Sequence, residues 1–150
     1  MSSQVTKSLY NNVIMDHIKN ARNFHELADA TSKARGVNPL CGDTFTVYLR
    51  TRSDRIEAAS FQCECCGISM ASASIMTQIV RGKTITEAAS LFQRFEQMLR
   101  GAGTQSGKGP DELAVLQLIR EFPSRINCAL LGWKTLAAAL DGRDSVSIEN

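Results

Sequence analysis

Apolar residues in the first half of the chain follow two different spacings. Over residues 7–19 they recur every three to four positions, which predicts an amphipathic helix. Over residues 44–51 ("TFTVYLRT") aliphatic and aromatic residues fall at every second position, which predicts a strand. Residues 55–64 ("RIEAASFQCE") predict its antiparallel partner across a short turn.

The segments between the first helix and these strands contain residues that interrupt regular structure. Residues 19–30 ("KNARNFHELADA") mix helix-forming residues with Asn, and they predict a turn and a short helical piece. Residues 31–44 ("TSKARGVNPLCGDT") contain Gly and Asn-Pro, which predict a weak edge strand followed by a loop. That loop holds Cys41 and Asp43.

The second half of the chain is predicted to be helical. Helical spacing of apolar residues extends over four segments: residues 67–80, 85–100, 111–122 and 126–140. Thr84 and Glu87 predict a capping box for the second of these, and Pro123 with Ser124 opens the last. The small side chains of "ASAS", residues 71–74, allow another element to pack closely against the first.

The order of the elements predicts the fold class. One helix, two or three strands and then four helices indicate an α+β fold, with a small antiparallel sheet of about three strands and helices packed on one face. The Gly-rich residues 101–110 predict a mobile loop, and the tail after Gly142 is predicted to be disordered.

Composition narrows the class of protein. A chain of 150 residues predicts one domain, residues 1–150, large enough to bury a core without disulfides. The net charge of +2 gives no electrostatic case for nucleic acid as a partner, and no apolar run is long enough to span a membrane. The N-terminus lacks the features of a secretory signal, so we expect a cytoplasmic protein.

Five cysteines carry the candidate chemistry, and Cys63, Cys65 and Cys66 lie within four positions. In a reducing compartment such a cluster indicates metal binding or thiol chemistry more often than disulfides. An odd number of cysteines also fits a disulfide framework poorly. We therefore expect a metal or thiol site.

Four residues from separate segments could form one such site. Gly42 allows a sharp turn that directs Cys41 and Asp43 at one centre, while Cys66 and Cys128 fall near predicted helix N-termini, which favour thiolates. Three thiolates and a carboxylate would complete a tetrahedral site. Cys128 on an apolar helix could equally be a core residue, and the single CxxC of Cys63 and Cys66 is a weak signal.

Longer stretches of the sequence resemble a known family. "LYNNVIMDHIKNARN", "NPLCGD", "CGISMASASIMTQIVRGKT" and "FPSRINCALLGWKTL" are similar to the U-type iron–sulfur cluster assembly proteins, namely SufU, IscU and the N-terminal domain of NifU. The resemblance extends over nearly the whole chain and implies a SufE/NifU-like fold. It also implies that Cys41, Asp43, Cys66 and Cys128 hold zinc or a nascent cluster.

Three features favour the SufU branch. Asn127 stands where IscU proteins have His, "EFPSRIN" replaces their chaperone-docking segment, and residues 101–121 resemble the insert of SufU proteins. This branch implies bound zinc and a sulfur acceptor that takes persulfide sulfur from a cysteine desulfurase of the SufS type and supplies downstream assembly proteins. Cys41 is the expected acceptor, and Arg125 is expected to pair with Asp43 or a ligand thiolate.

Two other functions stay open at this point. One is an IscU-like scaffold that assembles a [2Fe–2S] cluster on the same ligands and transfers it to an acceptor. The other is a purely structural zinc domain, which would unfold without its metal.

Cys63 and Cys65 depart from the family, whose SufU members usually have Gly at these positions. One interpretation is neutral replacement by a small residue. The other is an alternate ligand or a sulfur relay, in which case replacing Cys65 by Gly would alter metal content or sulfur uptake.

Overall fold

The computed structural model describes residues 11–100 and 111–148. The helices are α1 (Asn12–Lys19), α2 (Gly67–Val80), α3 (Ile85–Arg100), α4 (Asp111–Ala114) and α5 (Pro123–Leu140), with a 3₁₀ helix at Gln117–Glu121. The strands are β1 (Ser32–Asn38), β2 (Asp43–Arg52), β3 (Arg55–Glu64) and β4 (Ser145–Ser147). Residues 7–10 of the first predicted helix and the predicted mobile loop 101–110 lie outside the described residues.

The four strands form one sheet in the order β3-β2-β1-β4. β1, β2 and β3 are antiparallel neighbours, and β4 runs parallel to β1. Phe45, Val47 and Leu49 of β2 are all buried, as their period of two predicts. Helix α5 packs on β1 and β2, and α2 packs on β3. The predicted α+β class is therefore confirmed, with one strand more than expected.

Small residues let the helices approach the sheet and each other. An ideal Cβ on Gly132 of α5 would lie 3.3 Å from the Cβ of Ala73 in α2, so the small side chains of α2 do permit close packing. A Cβ on Gly36 would lie only 2.0 Å from Oγ1 of Thr135. Gly36 is therefore an interior residue of β1 that makes room for α5, and it does not break the strand.

The predicted capping box is confirmed. The Thr84 backbone N–H donates to Oε1 of Glu87 at 2.8 Å, and the Glu87 N–H donates to Oγ1 of Thr84 at 3.0 Å. These two bonds satisfy donors that the first turn of α3 leaves without helical partners.

The short helical piece predicted after α1 is wrong. Residues 20–31 form turns and bends, with a bridge between Phe24 and Phe61. Asn23 has φ of 60° in the left-handed region, and its carbonyl accepts from the backbone N–H of Phe61 at 3.0 Å. This bond to β3 satisfies a backbone group that a helix would have used internally.

The predictions of a disordered tail and of an edge position for β1 are both wrong, because residues 145–147 pair with β1. The tail is not disordered: Ser145–Ser147 pairs with residues 35–37 of β1, and Ile148 is buried. Because β4 covers this side of β1, that strand is not at the edge of the sheet there. Residue 149 and residue 150 lie outside the described part.

The single helix predicted over residues 111–122 is also wrong. Leu113, Leu116 and Ile119 are buried at a spacing of three. Their backbone hydrogen bonds also join residues three apart. The N–H of Leu116 donates to the Leu113 carbonyl, and the N–H of Ile119 donates to the Leu116 carbonyl. Three residues per turn is the geometry of a 3₁₀ helix, so α4 gives way to that form.

Candidate metal and thiol site

The β1–β2 hairpin positions Cys41. Asn38 pairs with Asp43 across the hairpin, and residues 39–42 form the connection. The backbone N–H of Gly42 donates to the Asn38 carbonyl at 2.8 Å, and Gly42 has φ of 80°, which favours glycine. Cys41 is therefore exposed at the tip of a tight turn.

Asp43 begins β2 and does not lie in the loop where the sequence predicted it. Its side chain is buried, and Oδ2 lies 2.8 Å from Oγ of Ser69. The same Ser69 oxygen lies 2.9 Å from the carbonyl of Cys128. A hydroxyl has one proton, so Ser69 donates to only one of these oxygens at a time. Ser69 therefore links the carboxylate to the backbone of α5.

Cys128 and Cys66 lie close to two helix N-termini. Cys128 lies in the second turn of α5, which begins at Pro123, and its thiol is buried. Cys66 is the residue that precedes α2, and it is half-buried. Its Sγ lies 3.4 Å from Oγ of Ser69. Both thiols therefore reach the region where Asp43 begins β2.

The hairpin, β2 and α5 bring three ligand atoms together. The sulfurs of Cys41 and Cys128 and a carboxylate oxygen of Asp43 all lie within 4.8 Å of one another. Cys66 is not part of this compact set, but its thiol interacts with that of Cys128. The structure thus gathers three of the four predicted ligands and leaves the fourth in contact with one of them.

The paired thiols differ in acidity. The thiol of Cys128 lowers the pKa of Cys66 to about 5 by donating a hydrogen bond to its thiolate, and the hydroxyl of Ser69 acts in the same direction. The pKa of Cys128 is raised, first by the Cys66 thiolate and then by burial, with Cys41 and Asp43 contributing. The Cys66–Cys128 pair therefore loses its first proton more easily than a free thiol does and its second proton less easily. A cation at this point would favour loss of both.

The donor set is suited to zinc. Thiolate sulfur and carboxylate oxygen are both common zinc ligands, and structural zinc sites take four of them. The three converging donors and the adjoining Cys66 supply that number without any histidine. Thiol-rich sites of this kind disfavour magnesium and calcium, which prefer oxygen alone. The residues therefore form a potential Cys/Asp metal-binding group.

Cys63 and Cys65 form a disulfide, which the sequence analysis did not predict. Cys63 is at the end of β3 and Cys65 follows it, so the two are separated by a single residue. The strand ends between them, at Glu64, and their Cα atoms lie 5.6 Å apart, a distance that a disulfide spans. The signal in the sequence was the single residue that separates the two cysteines, and the general argument against disulfides outweighed it. Cys41, Cys66 and Cys128 are free thiols.

Two other residues lie near the ligands, one that the sequence predicted and one that it did not. Arg125 lies exposed in the first turn of α5, three residues before Cys128, and its predicted pairing stays a prediction. Ser69 was missed. It stands three residues after Cys66, a spacing that faces the same side of a first helical turn, and this was the signal that could have found it.

Within the described ranges, no helix is both long and apolar enough to cross a membrane.

Known proteins are similar to this chain in sequence and fold. The family described as NifU-like N terminal domain matches residues 9–114. The zinc-dependent sulfurtransferase SufU of Bacillus subtilis (strain 168) is 42% identical over 129 residues, 86% of this chain and 87% of that protein. The iron–sulfur cluster assembly scaffold protein IscU of Thermotoga maritima is 35% identical over 136 residues, 91% and 95% of the two chains. FiSufU of Fervidobacterium islandicum AW-1 superposes with a TM-score of 0.77 at 30% identity, covering 88% of this chain and 96% of that one.

Proposed function

We propose that this chain, which belongs to the NifU-like N-terminal domain family, is a zinc-dependent sulfur acceptor for iron–sulfur cluster assembly. The observation that carries the proposal is the convergence of Cys41, Asp43 and Cys128, with Cys66 in contact. The 42% identity to a zinc-dependent sulfurtransferase supports it. The proposal covers one domain, residues 1–150, with residues 101–121 as its SufU-like insert.

Cys41, Asp43, Cys66 and Cys128 would hold the metal. Bound zinc would keep their thiolates deprotonated without undergoing redox chemistry. Cys66, whose thiol interacts with that of Cys128, would be the fourth ligand. Ser69 would hold the carboxylate of Asp43 in position by donating its proton to Oδ2.

Cys41 would accept the sulfur. It is the exposed member of the set, at the tip of a hairpin, whereas Cys128 is buried and Cys66 half-buried. Its thiolate would attack the terminal sulfur of a persulfide on the partner, and the partner's cysteine thiolate would leave. The sulfane sulfur would then be on Cys41. The partner of this chemistry is a cysteine desulfurase, and we propose the SufS type, acting in the cytoplasm.

Asp43 and Arg125 would tune the exchange. A carboxylate is a harder ligand than a thiolate, so Asp43 would hold zinc less tightly than a fourth cysteine. Arg125 is exposed in the first turn of α5, three residues before Cys128. Its positive charge would favour the approach of an anionic persulfide. Downstream assembly proteins would receive the sulfur from Cys41.

A scaffold function is the second candidate. The 35% identity to an IscU over 91% of this chain favours it, since the same four residues would hold a [2Fe–2S] cluster. Asn127 in place of the IscU histidine argues for the first candidate. A purely structural zinc domain is a third, and the exposure of Cys41 argues against it, because a structural site has no need of an accessible ligand.

One experiment separates the acceptor from the scaffold. The purified protein is assayed for metal and then incubated with a SufS-type desulfurase and cysteine, and persulfide is mapped by mass spectrometry. Faster desulfurase turnover with zinc retained and persulfide on Cys41 supports the acceptor. A chromophoric cluster formed without zinc and passed to an apo-protein supports the scaffold. If Cys41→Ser stimulates the desulfurase as well as the wild type does, the acceptor assignment is wrong.

A further inference from the structure

We propose that Cys63 and Cys65 form a dithiol that reduces a protein persulfide and releases its sulfur as sulfide. The disulfide of the structure is the oxidised product of that reaction. This inference rests on the proposed function, which delivers sulfane sulfur to the neighbouring site. It assigns to the chain a second activity, persulfide reduction, and takes as substrate a persulfide on this protein or on a small thiol.

The first observation is where the pair lies. Cys65 directly precedes Cys66, which contacts Cys128. On the neighbouring strand Thr44, the residue after Asp43, pairs with Glu64, the residue between the two cysteines. The pair therefore adjoins the candidate metal site along the chain and across the sheet.

The second observation is how the five sulfurs are divided. Cys63 and Cys65 are joined to each other, while Cys41, Cys66 and Cys128 remain thiols although the last two are in contact. A joined pair supplies no thiolate ligand for a metal. The same pair in its reduced form supplies two electrons, which the zinc ligands do not need to provide.

The third observation is accessibility. Cys63 and Cys65 are both half-buried, and each packs with one side against the core. Because one residue separates them along the chain, the sulfurs meet without any rearrangement of distant elements. Cys63 therefore lies beside Cys65 and can resolve a persulfide formed there.

The reaction balances in two exchange steps. The Cys65 thiolate attacks the terminal sulfur of the Cys41 persulfide; the S–S bond breaks, the Cys41 thiolate leaves, and the persulfide is now on Cys65. The Cys63 thiolate then attacks Sγ of Cys65, forms the Cys63–Cys65 bond and expels hydrosulfide. The two thiols lose two electrons, and the sulfane sulfur gains both. The two thiol protons accompany the regenerated Cys41 thiol and the departing sulfide.

The chain performs this reaction once for each reduction of the pair. Repeated turnover needs an external dithiol reductant, which exchanges with the Cys63–Cys65 bond and becomes oxidised in turn. Sulfide is the oxidation state that iron–sulfur clusters contain. The pair would therefore convert the accepted sulfur into its usable form at the site of acceptance.

The test is a single-turnover assay on the full-length, zinc-containing protein. It is reduced, freed of reductant under anaerobic conditions, and given glutathione persulfide; a parallel sample receives a cysteine desulfurase and one equivalent of cysteine. Released sulfide is measured, and disulfides are located by non-reducing peptide mapping. The wild type is expected to release close to one sulfide per chain as the Cys63–Cys65 bond forms.

Matched variants isolate the pair. Cys63→Ser and Cys65→Ser are expected to release at least about fivefold less sulfide than the wild type, since neither can close the disulfide. Glu64→Gln, an exposed substitution between the two cysteines, is expected to behave as the wild type. Zinc content and circular dichroism check the fold. The wild-type peptide map needs no variant, so it decides even where a variant misfolds.

The two donors distinguish the possible failures. If glutathione persulfide is consumed without forming the Cys63–Cys65 bond, or if Cys63→Ser releases as much sulfide as the wild type, the inference is overturned. If that donor forms the bond but the desulfurase neither forms it in the wild type nor leaves sulfur on Cys41 of Cys65→Ser, persulfide reduction stands and the proposed acceptor function fails.

Discussion

The molecule contains two groups of cysteines that differ in how the fold brings them together. Cys41, Cys66 and Cys128 come from a hairpin tip and two helix N-termini, and they meet with Asp43 only after the sheet and helices have packed. Cys63 and Cys65 meet because only one residue separates them along the chain. The first group holds free thiols beside a buried carboxylate, and the second is a closed disulfide.

This contrast indicates that closeness in sequence is a poor guide to shared chemistry. Cys65 and Cys66 are adjacent in the chain, yet one is bonded to Cys63 and the other contacts Cys128, 62 residues away. Cys65 follows the end of β3 and Cys66 directly precedes α2, so the two side chains have different partners. We infer that the two groups have separate functions. The first binds metal and accepts sulfur, and the second supplies electrons.

The largest expected effect is loss of metal from Cys128→Ser. Serine keeps the shape of the side chain but removes a buried thiolate. We expect zinc affinity to fall by more than the roughly 100-fold that loss of an outer-shell partner can cost. Competition with a chromophoric chelator measures the change. Cys63→Ser is the matched control. If that variant loses zinc to the same extent, the inferred separation of functions is wrong.

A smaller effect is expected from Ser69→Ala. This variant removes the hydroxyl that lies 2.8 Å from Oδ2 of Asp43, so zinc affinity should fall about 10- to 100-fold. Ser72 is the matched control, because its hydroxyl donates to the Ala129 carbonyl at 2.7 Å on the same pair of helices. Chelator competition on both variants decides the matter. Equal losses of affinity would mean that Ser69 acts only through helix packing.

Gly42→Ala should act through the backbone. The residue has φ of 80°, and nothing lies within 4 Å of an added Cβ, so the cost is conformational. We expect a loss of about 1–2 kcal/mol in the free energy of unfolding and slower sulfur uptake by Cys41. Gly82→Ala has φ of 82° and equally open surroundings, away from the site. It should lose similar stability but retain sulfur uptake, and slowed uptake there would contradict the local explanation.

The smallest effect is expected from reducing the Cys63–Cys65 disulfide. The bond closes a loop with a sequence separation of only 2, so the entropy that it removes from the unfolded chain is small. Reduction should lower the free energy of unfolding by less than about 2 kcal/mol and leave zinc bound. Denaturant unfolding and metal analysis, with and without a phosphine reductant, measure both. Release of zinc on reduction would show that the two groups are coupled.

Local patterns predicted much of the fold. The alternation of β2, the capping box of Thr84 and Glu87, and the opening of α5 at Pro123 each depend on neighbours in sequence. Two of the errors came from long-range partners. β4 and the interior position of β1 depend on residues 145–147 crossing back to residues 35–37, and a single sequence does not encode that pairing in any local period.

The sequence predicted only part of the candidate site, because some of its residues are neighbours along the chain and others meet only in the fold. Cys41 and Asp43 share one turn and Cys128 follows Pro123 closely, so sequence pattern and family resemblance both pointed to them. Ser69 was missed because its role depends on Asp43 lying opposite, across packed elements. The Cys63–Cys65 disulfide was missed because the argument from a reducing compartment outweighed the close spacing of the two cysteines.

The coordination of zinc in the purified protein tests the central claim most directly. X-ray absorption at the zinc edge should fit three sulfur ligands at about 2.3 Å and one oxygen at about 2.0–2.2 Å. The Cys63→Ser/Cys65→Ser double variant should give the same spectrum. Four sulfur ligands in the wild type, reduced to three in the double variant, would mean that the strand cysteines bind the metal, and the separation of the two groups would be contradicted.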